Sequence, residues 1–161
     1  MHLYKKLLFL LPFSFSNCLF YSLSGSSISK ECKTFSLGEI SIDTVDSPHN
    51  IVDNLKNMLR SKLKGEIGLK EVDSDGDVHF DFIIKDYTTN IIPGNDKVKI
   101  SMSMNVSYKN KYDVERQFKE KSFSKDIDVP KANVGNSPNN VEQILDAILN
   151  EVFNKSINAW E

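Results

Sequence analysis

Between Val98 and Tyr108 the chain alternates without a break: Val98, Ile100, Met102, Met104, Val106 and Tyr108 stand against Lys97, Lys99, Ser101, Ser103, Asn105 and Ser107. A period of two is that of a strand with one dry and one wet face, and such a strand suits an antiparallel sheet covered on one side. A second alternation, Val78, Phe80, Phe82 and Ile84 against His79, Asp81 and Lys85, predicts another strand, and residues 69–72 predict a short one before it. Asp73-Ser74-Asp75-Gly76-Asp77 lies between the two and reads as a turn, so the pair is expected to form a hairpin. Phe35 and Leu37, then Ile40 and Ile42, alternate with a slip in phase at Gly38-Glu39. A one-residue slip turns side chains to the other face, so a β-bulge is expected there. Residues 112–124 carry Asp113, Glu115, Arg116, Lys119, Glu120 and Lys121, a composition suited to a strand at a sheet edge. Loops are expected at 91–96, where Pro93-Gly94 fits a β-turn, and at 128–140, rich in Pro, Asn and Gly.

Two segments switch to the helical period. Ile51, Leu55, Met58, Leu59 and Leu63 follow Ser47-Pro48-His49-Asn50, which offers an N-cap with proline at the first helical position, and Gly65 is the expected stop. Val141, Ile144, Leu145, Ile148, Leu149, Val152, Phe153 and Ile157 form the longer stripe, after Ser137-Pro138 and before Trp160. Roughly twenty residues at ~1.5 Å each make a helix about 30 Å long, enough to cover a small sheet. Strand, helix, three or four antiparallel strands, helix: this order predicts an α+β fold. It is a two-layer sandwich whose mostly antiparallel sheet of four to five strands carries two helices on one face.

Ahead of these elements, Lys5 and Lys6 precede an apolar run over residues 7–15 that is too short to span a bilayer, and Cys18 follows closely. The chain therefore divides into a signal over 1–17, a lipidated arm over 18–33 and one domain over 34–161. Phe15-Ser16-Asn17-Cys18 resembles the bacterial lipobox, with Asn17 where Gly, Ala or Ser is usual. Cleavage before Cys18 frees a thiol for a diacylglycerol thioether and an amine for acylation. Each buried methylene contributes about 0.8 kcal/mol, so several acyl chains on one residue make a stable anchor. The alternative is an ordinary cleaved signal with Cys18 paired to Cys32 as a disulfide in an oxidising compartment.

Charge narrows the partners. The chain has 20 Lys and Arg against 22 Asp and Glu, and loss of the signal leaves 18 against 22, a mildly acidic balance that argues against a nucleic-acid binder. Lys56, Arg60 and Lys64 fall at successive i+4 steps and make a basic stripe that could meet phosphates; as a solvated face, the same charges favour a helix C-terminus. Three alternate aspartates, Asp73, Asp75 and Asp77, invite a calcium reading. The sixth and twelfth positions of such a loop need Gly and Glu, and here they hold Val78 and Ile84.

The residue types leave little room for catalysis. Past Cys18 the histidines are His49 and His79, without HExxH or paired-cysteine spacing, and neither a GxSxG elbow nor a glycine-rich phosphate loop occurs. Asp81 and Glu115 are carboxylates that solvation on a wet strand face explains better than an acid/base pair does. No enzyme activity, metal or cofactor is expected.

Cys18 is followed by Tyr21-Ser22-Leu23-Ser24-Gly25, then Ser27-Ile28 and Lys33-Thr34-Phe35-Ser36-Leu37, and this opening resembles the lipopolysaccharide-assembly lipoprotein family LptE. The run from Ile148 through Lys155 to Ala159-Trp160 is similar to the closing helix of compact members of that family. The resemblance covers nearly the whole chain beyond the signal. It implies a lipoprotein of the Gram-negative outer membrane, anchored at Cys18, that plugs the β-barrel LptD, helps it assemble and aids transport of lipopolysaccharide to the cell surface. It implies the same α+β fold, with Lys56, Arg60, Lys64, Lys97 and Lys99 as the cations available to lipopolysaccharide phosphates. The other reading is a lipid-anchored periplasmic binding module for a small ligand or peptide, with no barrel partner.

Overall fold

The computed structural model describes residues 28–134 and 137–158, so Cys18 with its signal and Trp160 lie outside the described residues. Five strands form one sheet: β1 (Thr34–Ile42), β2 (Lys70–Glu71), β3 (Val78–Ile91), β4 (Lys97–Asn110) and β5 (Phe118–Pro130), in the order β2-β1-β3-β4-β5. The two long ladders, β3 with β4 and β4 with β5, are antiparallel, and β1 adds parallel pairings to β2 and β3. The architecture is the α+β sandwich that the hydrophobic pattern implies, with a mixed sheet.

The alternation in β4 is realised as read, with every even-numbered residue from Val98 to Asn110 buried. The slip at Gly38-Glu39 is a bulge, since the β1–β3 register jumps between Leu37 and Ile40. The Pro93-Gly94 turn is also present: the Asn95 N–H donates to the Ile92 carbonyl at 3.3 Å, and Gly94 has φ +74. Proline followed by a positive-φ glycine is the signature of a type II turn.

Four expectations are corrected. Residues 69–77 do not form a hairpin, because β2 and β3 run parallel to one another on opposite sides of β1. The linking residues cross the β1 backbone at Gly76, where a Cβ would stand 2.4 Å from the Ser36 nitrogen; only glycine permits the approach. The edge strand begins at Phe118 and runs through Pro130, so that residues 112–117 are loop and 128–130 are strand. The expected stop at Gly65 is passed as well. Helix α1 (Ile51–Arg60) continues as a wider π-turn over Ser61–Glu66, and Gly68, at φ +84, makes the reversal. There the Ile67 N–H donates to the Lys62 carbonyl at 3.1 Å, five residues back. Asn50 precedes α1 without a side-chain cap, and the Pro48 carbonyl accepts the Ile51 N–H at 3.1 Å instead of Ser47 capping the helix.

Helix α2 (Ser137–Ser156) lies over β4 and β5 beside α1. Lys62 ties the two helical segments together, standing 2.9 Å from both Asp146 and Asn150. Ile51, Leu55, Leu59 and Leu63 from one helix and Ile144, Leu145, Ile148, Leu149 and Val152 from the other are fully buried against the dry face. The Phe80 ring stands 4.9 Å from Tyr108 and 5.9 Å from Phe153, which locks α2 onto β3 and β4. Full burial of such a side chain contributes about 1.5–3 kcal/mol. With both helices on one side, the other face of the sheet stays open and polar.

Candidate functional site

The open face is built by the residues that alternate away from the core: His79 and Asp81 on β3, Ser107 and Lys109 on β4, and Lys119 on β5. Gly38, inside the β1 bulge, leaves room for two of them. A Cβ at Gly38 would stand 2.0 Å from Asp81 Oδ1 and 2.7 Å from His79 Nε2. Opposite Ser107, a second bulge puts Glu120 at φ +50, and its N–H donates to Ser107 Oγ at 3.0 Å. That irregularity splays Phe118 and Lys119 and opens a trough between β4 and β5.

The trough consists of three adjoining recesses. One of about 510 Å³ is lined by Asp81, Ser107, Lys109, Gln117, Phe118 and Lys119. A second, of about 430 Å³, shares Lys109 and Gln117 with it and reaches His79, Asp75 and Lys111. A third, of about 230 Å³, shares Asp81, Ser107 and Lys119 and reaches Glu39, Ser41 and Asn105. Lys111 is paired with Asp75 at 3.0 Å, whereas Lys109 and Lys119 make no ion pair among the described residues. The trough therefore offers two cations outside the described ion pairs, Lys109 and Lys119, set among the carboxylates Asp81, Glu39 and Glu120 and the Lys111–Asp75 pair.

Beside it runs a hydrogen-bonded chain that the sequence did not reveal. The Gly76 N–H donates to Ser36 Oγ at 3.0 Å, Ser36 Oγ lies 2.8 Å from His79 Nδ1, and His79 Nε2 lies 3.2 Å from Asp81 Oδ1. With the ring proton on Nε2, the Ser36 hydroxyl donates to Nδ1 and the imidazole donates to the carboxylate. The types are those of a hydrolase triad, but Ser36 is fully buried and its oxygen already accepts from Gly76. Buried there, the hydroxyl ties the crossover to β1 and β3. Pairing of Ser36 with His79 follows from the parallel register, which local patterning does not encode.

Asp77 and Asn110 organise the end of the sheet where the arm enters. One Asp77 carboxylate oxygen accepts from the Lys33 N–H at 2.8 Å and from the Thr34 N–H and hydroxyl at 2.9 Å each; the bond from Lys33 leads in holding its pKa below the usual carboxylate range. Asp77 is thus committed to the backbone of β1, and among the described residues no cluster of three or more His, Cys, Asp or Glu could hold a metal. Asn110 is buried, and its side-chain oxygen accepts from Cys32 Sγ at 3.4 Å and from the Tyr112 N–H at 3.0 Å. Its amide donates to the Tyr108 hydroxyl, whose pKa burial pushes up to about 12. Cys32 is a free, buried thiol, and burial raises its pKa.

The five cations singled out in the sequence separate into two groups. Arg60 Nε and Lys64 Nζ both bind Glu71 on β2, at 2.9 and 2.6 Å, and these bonds, led by that from Lys64, depress the Glu71 pKa. Lys56 is half-buried on the same helix. Lys97 and Lys99 are exposed on the open face, but at the β3–β4 hairpin end. Lys99 is eight residues from Ser107 along the strand, about 27 Å at ~3.4 Å per residue, so neither lysine reaches the trough. Lys99 has only a loose partner, Asp126, at 3.9 Å. The trough's own cations, Lys109 and Lys119, were not singled out. Lys109 continues the wet-face alternation of β4, but neither the face of Lys119 nor the bulge that makes a recess between them was legible.

No protein-family model and no curated protein matches this chain. Among solved structures, the hypothetical protein CT253 from Chlamydia trachomatis aligns over 77% of this chain and 97% of its own, at 10% identity and a TM-score of 0.52. The two share a fold. Protein XCC0632 from Xanthomonas campestris lies further off, with 11% identity, 75% and 81% coverage and a TM-score of 0.49. Rare lipoprotein B from Shewanella oneidensis does too, with 12% identity, 71% and 93% coverage and a TM-score of 0.43.

Proposed function

We propose that this protein is a lipid-anchored, non-enzymatic lipoprotein of the outer membrane that fills and helps assemble an LptD-type β-barrel for lipopolysaccharide transport. One observation carries the reading. The two stretches that resemble the LptE family, Cys18 with residues 21–37 and the closing helix from Ile148, bracket a two-layer sandwich with the architecture which that resemblance implies. An open polar face is what a plug needs, since the lumen of such a barrel is polar and wet. The buried, doubly bonded Ser36 supports a role without catalysis.

Depletion of the protein should lower correctly assembled LptD and surface lipopolysaccharide together, and a pull-down from detergent-solubilised outer membrane should recover a large barrel in equal amount. Normal barrel assembly after depletion overturns the reading. A second reading, an anchored binding module without a barrel, is favoured by the recess of about 510 Å³ between Lys109 and Lys119. Recovery of the protein as a monomer in the same pull-down would put that reading first.

A further inference from the structure

We propose that the β4–β5 loop, residues 111–117, is a contact with the interfacial region of the bilayer that sets how the domain stands on its membrane; this rests on the reading of Cys18 as the lipid anchor. The arm and the loop meet at one buried atom. The Asn110 side-chain oxygen takes the Cys32 thiol from the arm and the Tyr112 N–H from the loop, at 3.4 and 3.0 Å. Two further bonds secure the junction. The Asn110 carbonyl accepts from Gln117 Nε2 at 2.7 Å, and the Lys111 N–H donates at 2.9 Å to the carbonyl of Asp77, whose carboxylate holds Lys33. The loop is therefore fixed to the point where the arm joins the sheet.

The loop's exposed side chains suit a lipid surface. Tyr112 is 48% and Val114 70% exposed, although each is large and apolar enough to be buried. A tyrosine is at home at the headgroup level, with its ring in the apolar layer and its hydroxyl in water. Arg116 lies on Asp113 at 3.2 Å and Lys111 on Asp75 at 3.0 Å, which leaves the exposed Glu115 as a negative charge beside Val114, so the contact rests on the apolar side chains and suits a zwitterionic surface better than an anionic one. Ile28 packs on the core, and Cys18 is ten residues before it, a reach of at most about 35 Å. An anchor on so short a leash keeps the loop at high effective concentration beside the bilayer, where two side chains suffice.

Val45 provides the contrast. It is 97% exposed, but it follows Ile42 at the opposite end of β1, about 30 Å along the strand. Contact there would require the arm to run fully extended past the whole domain.

The test uses the full lipidated chain in phosphatidylcholine vesicles with brominated acyl chains, carrying Val114→Trp or Val45→Trp in a Trp160→Phe background. Intact-mass analysis first establishes the lipid on Cys18. We expect a blue-shifted emission and loss of fluorescence to the brominated chains at position 114, and neither at position 45. An unquenched position 114, or equal quenching at both positions, in a chain shown to be lipidated overturns the orientation and leaves the anchor in place. A chain that carries no lipid overturns both.

Discussion

Asp77 joins three segments that are far apart in sequence: its carboxylate closes the start of β1, its own N–H donates to Thr34 Oγ1 at 3.0 Å, and its carbonyl accepts from Lys111. Replacing it by alanine removes three hydrogen bonds to an ionised group and should cost about 2 kcal/mol, read as a lower denaturant midpoint with unchanged slope. Asp77→Asn keeps an acceptor oxygen and should cost less, but it removes a pH dependence. A carboxyl with a depressed native pKa stabilises the fold fully above its ordinary value of 3.8, and that contribution is lost as pH falls below it through the native value. Acid unfolding of Asp77→Asn should accordingly be less steep below pH 4 than that of the unsubstituted chain. Glu71, held down by Lys64 and Arg60, keeps a similar slope in both proteins. Identical acid profiles for the two would show that Asp77 is not the group responsible.

At the scale of elements, the two ordered layers were legible and their connection was not. The β4 alternation and the α2 stripe were readable because burial imposes one period over many residues. Helix α2 should carry much of the stability: Ile148→Asp places an unpaired charge at a fully buried position and should cost about 4 kcal/mol or more, a large part of the usual 5–15 kcal/mol of a domain. A thermal unfolding transition unchanged by that substitution would mean that α2 does not pack as described. Residues 69–77 misled because two short apolar runs separated by Asp and Gly look the same whether they pair with each other or flank a third strand. The deciding residue, Gly76, acts through its close approach to Ser36, some forty positions away. The edge strand was displaced by six residues because the apolar row of β5, Phe123, Ile127 and Val129, is broken by Lys125 and preceded by a run of charges that continues back to Asp113. An edge needs little apolar periodicity, so its boundaries are the least encoded. Of the candidate site, the wet face was legible, while the trough and the Ser36-His79-Asp81 chain depend on bulges and on register.

Over the whole molecule the sheet divides two duties: one face is closed by two helices, and the other is left open and polar. The prior commitments of the cations on helix α1, at the hairpin end and in the trough decide which of them can meet a phosphate. Arg60 and Lys64 already share Glu71, so binding an anion there means giving up two short ion pairs. Lys97 is exposed and Lys99 holds Asp126 only at 3.9 Å, so these two can turn to an incoming phosphate at little cost. A charge-assisted hydrogen bond contributes about 1.5–3 kcal/mol, so removing one should weaken affinity roughly tenfold or more. Lys97→Glu with Lys99→Glu should therefore weaken lipopolysaccharide binding by at least that factor while leaving the unfolding temperature within about a degree or two, since exposed substitutions stay near ±0.5 kcal/mol. Arg60→Glu with Lys64→Glu should behave in the opposite way, loosening β2 and lowering stability with little effect on binding, because like charges then face Glu71. Titration of both double variants with purified lipopolysaccharide, beside thermal unfolding, separates the two. Undiminished binding by the Lys97 and Lys99 variant would take the hairpin end out of the binding surface and leave Lys109 and Lys119, in the trough, as the cations to test.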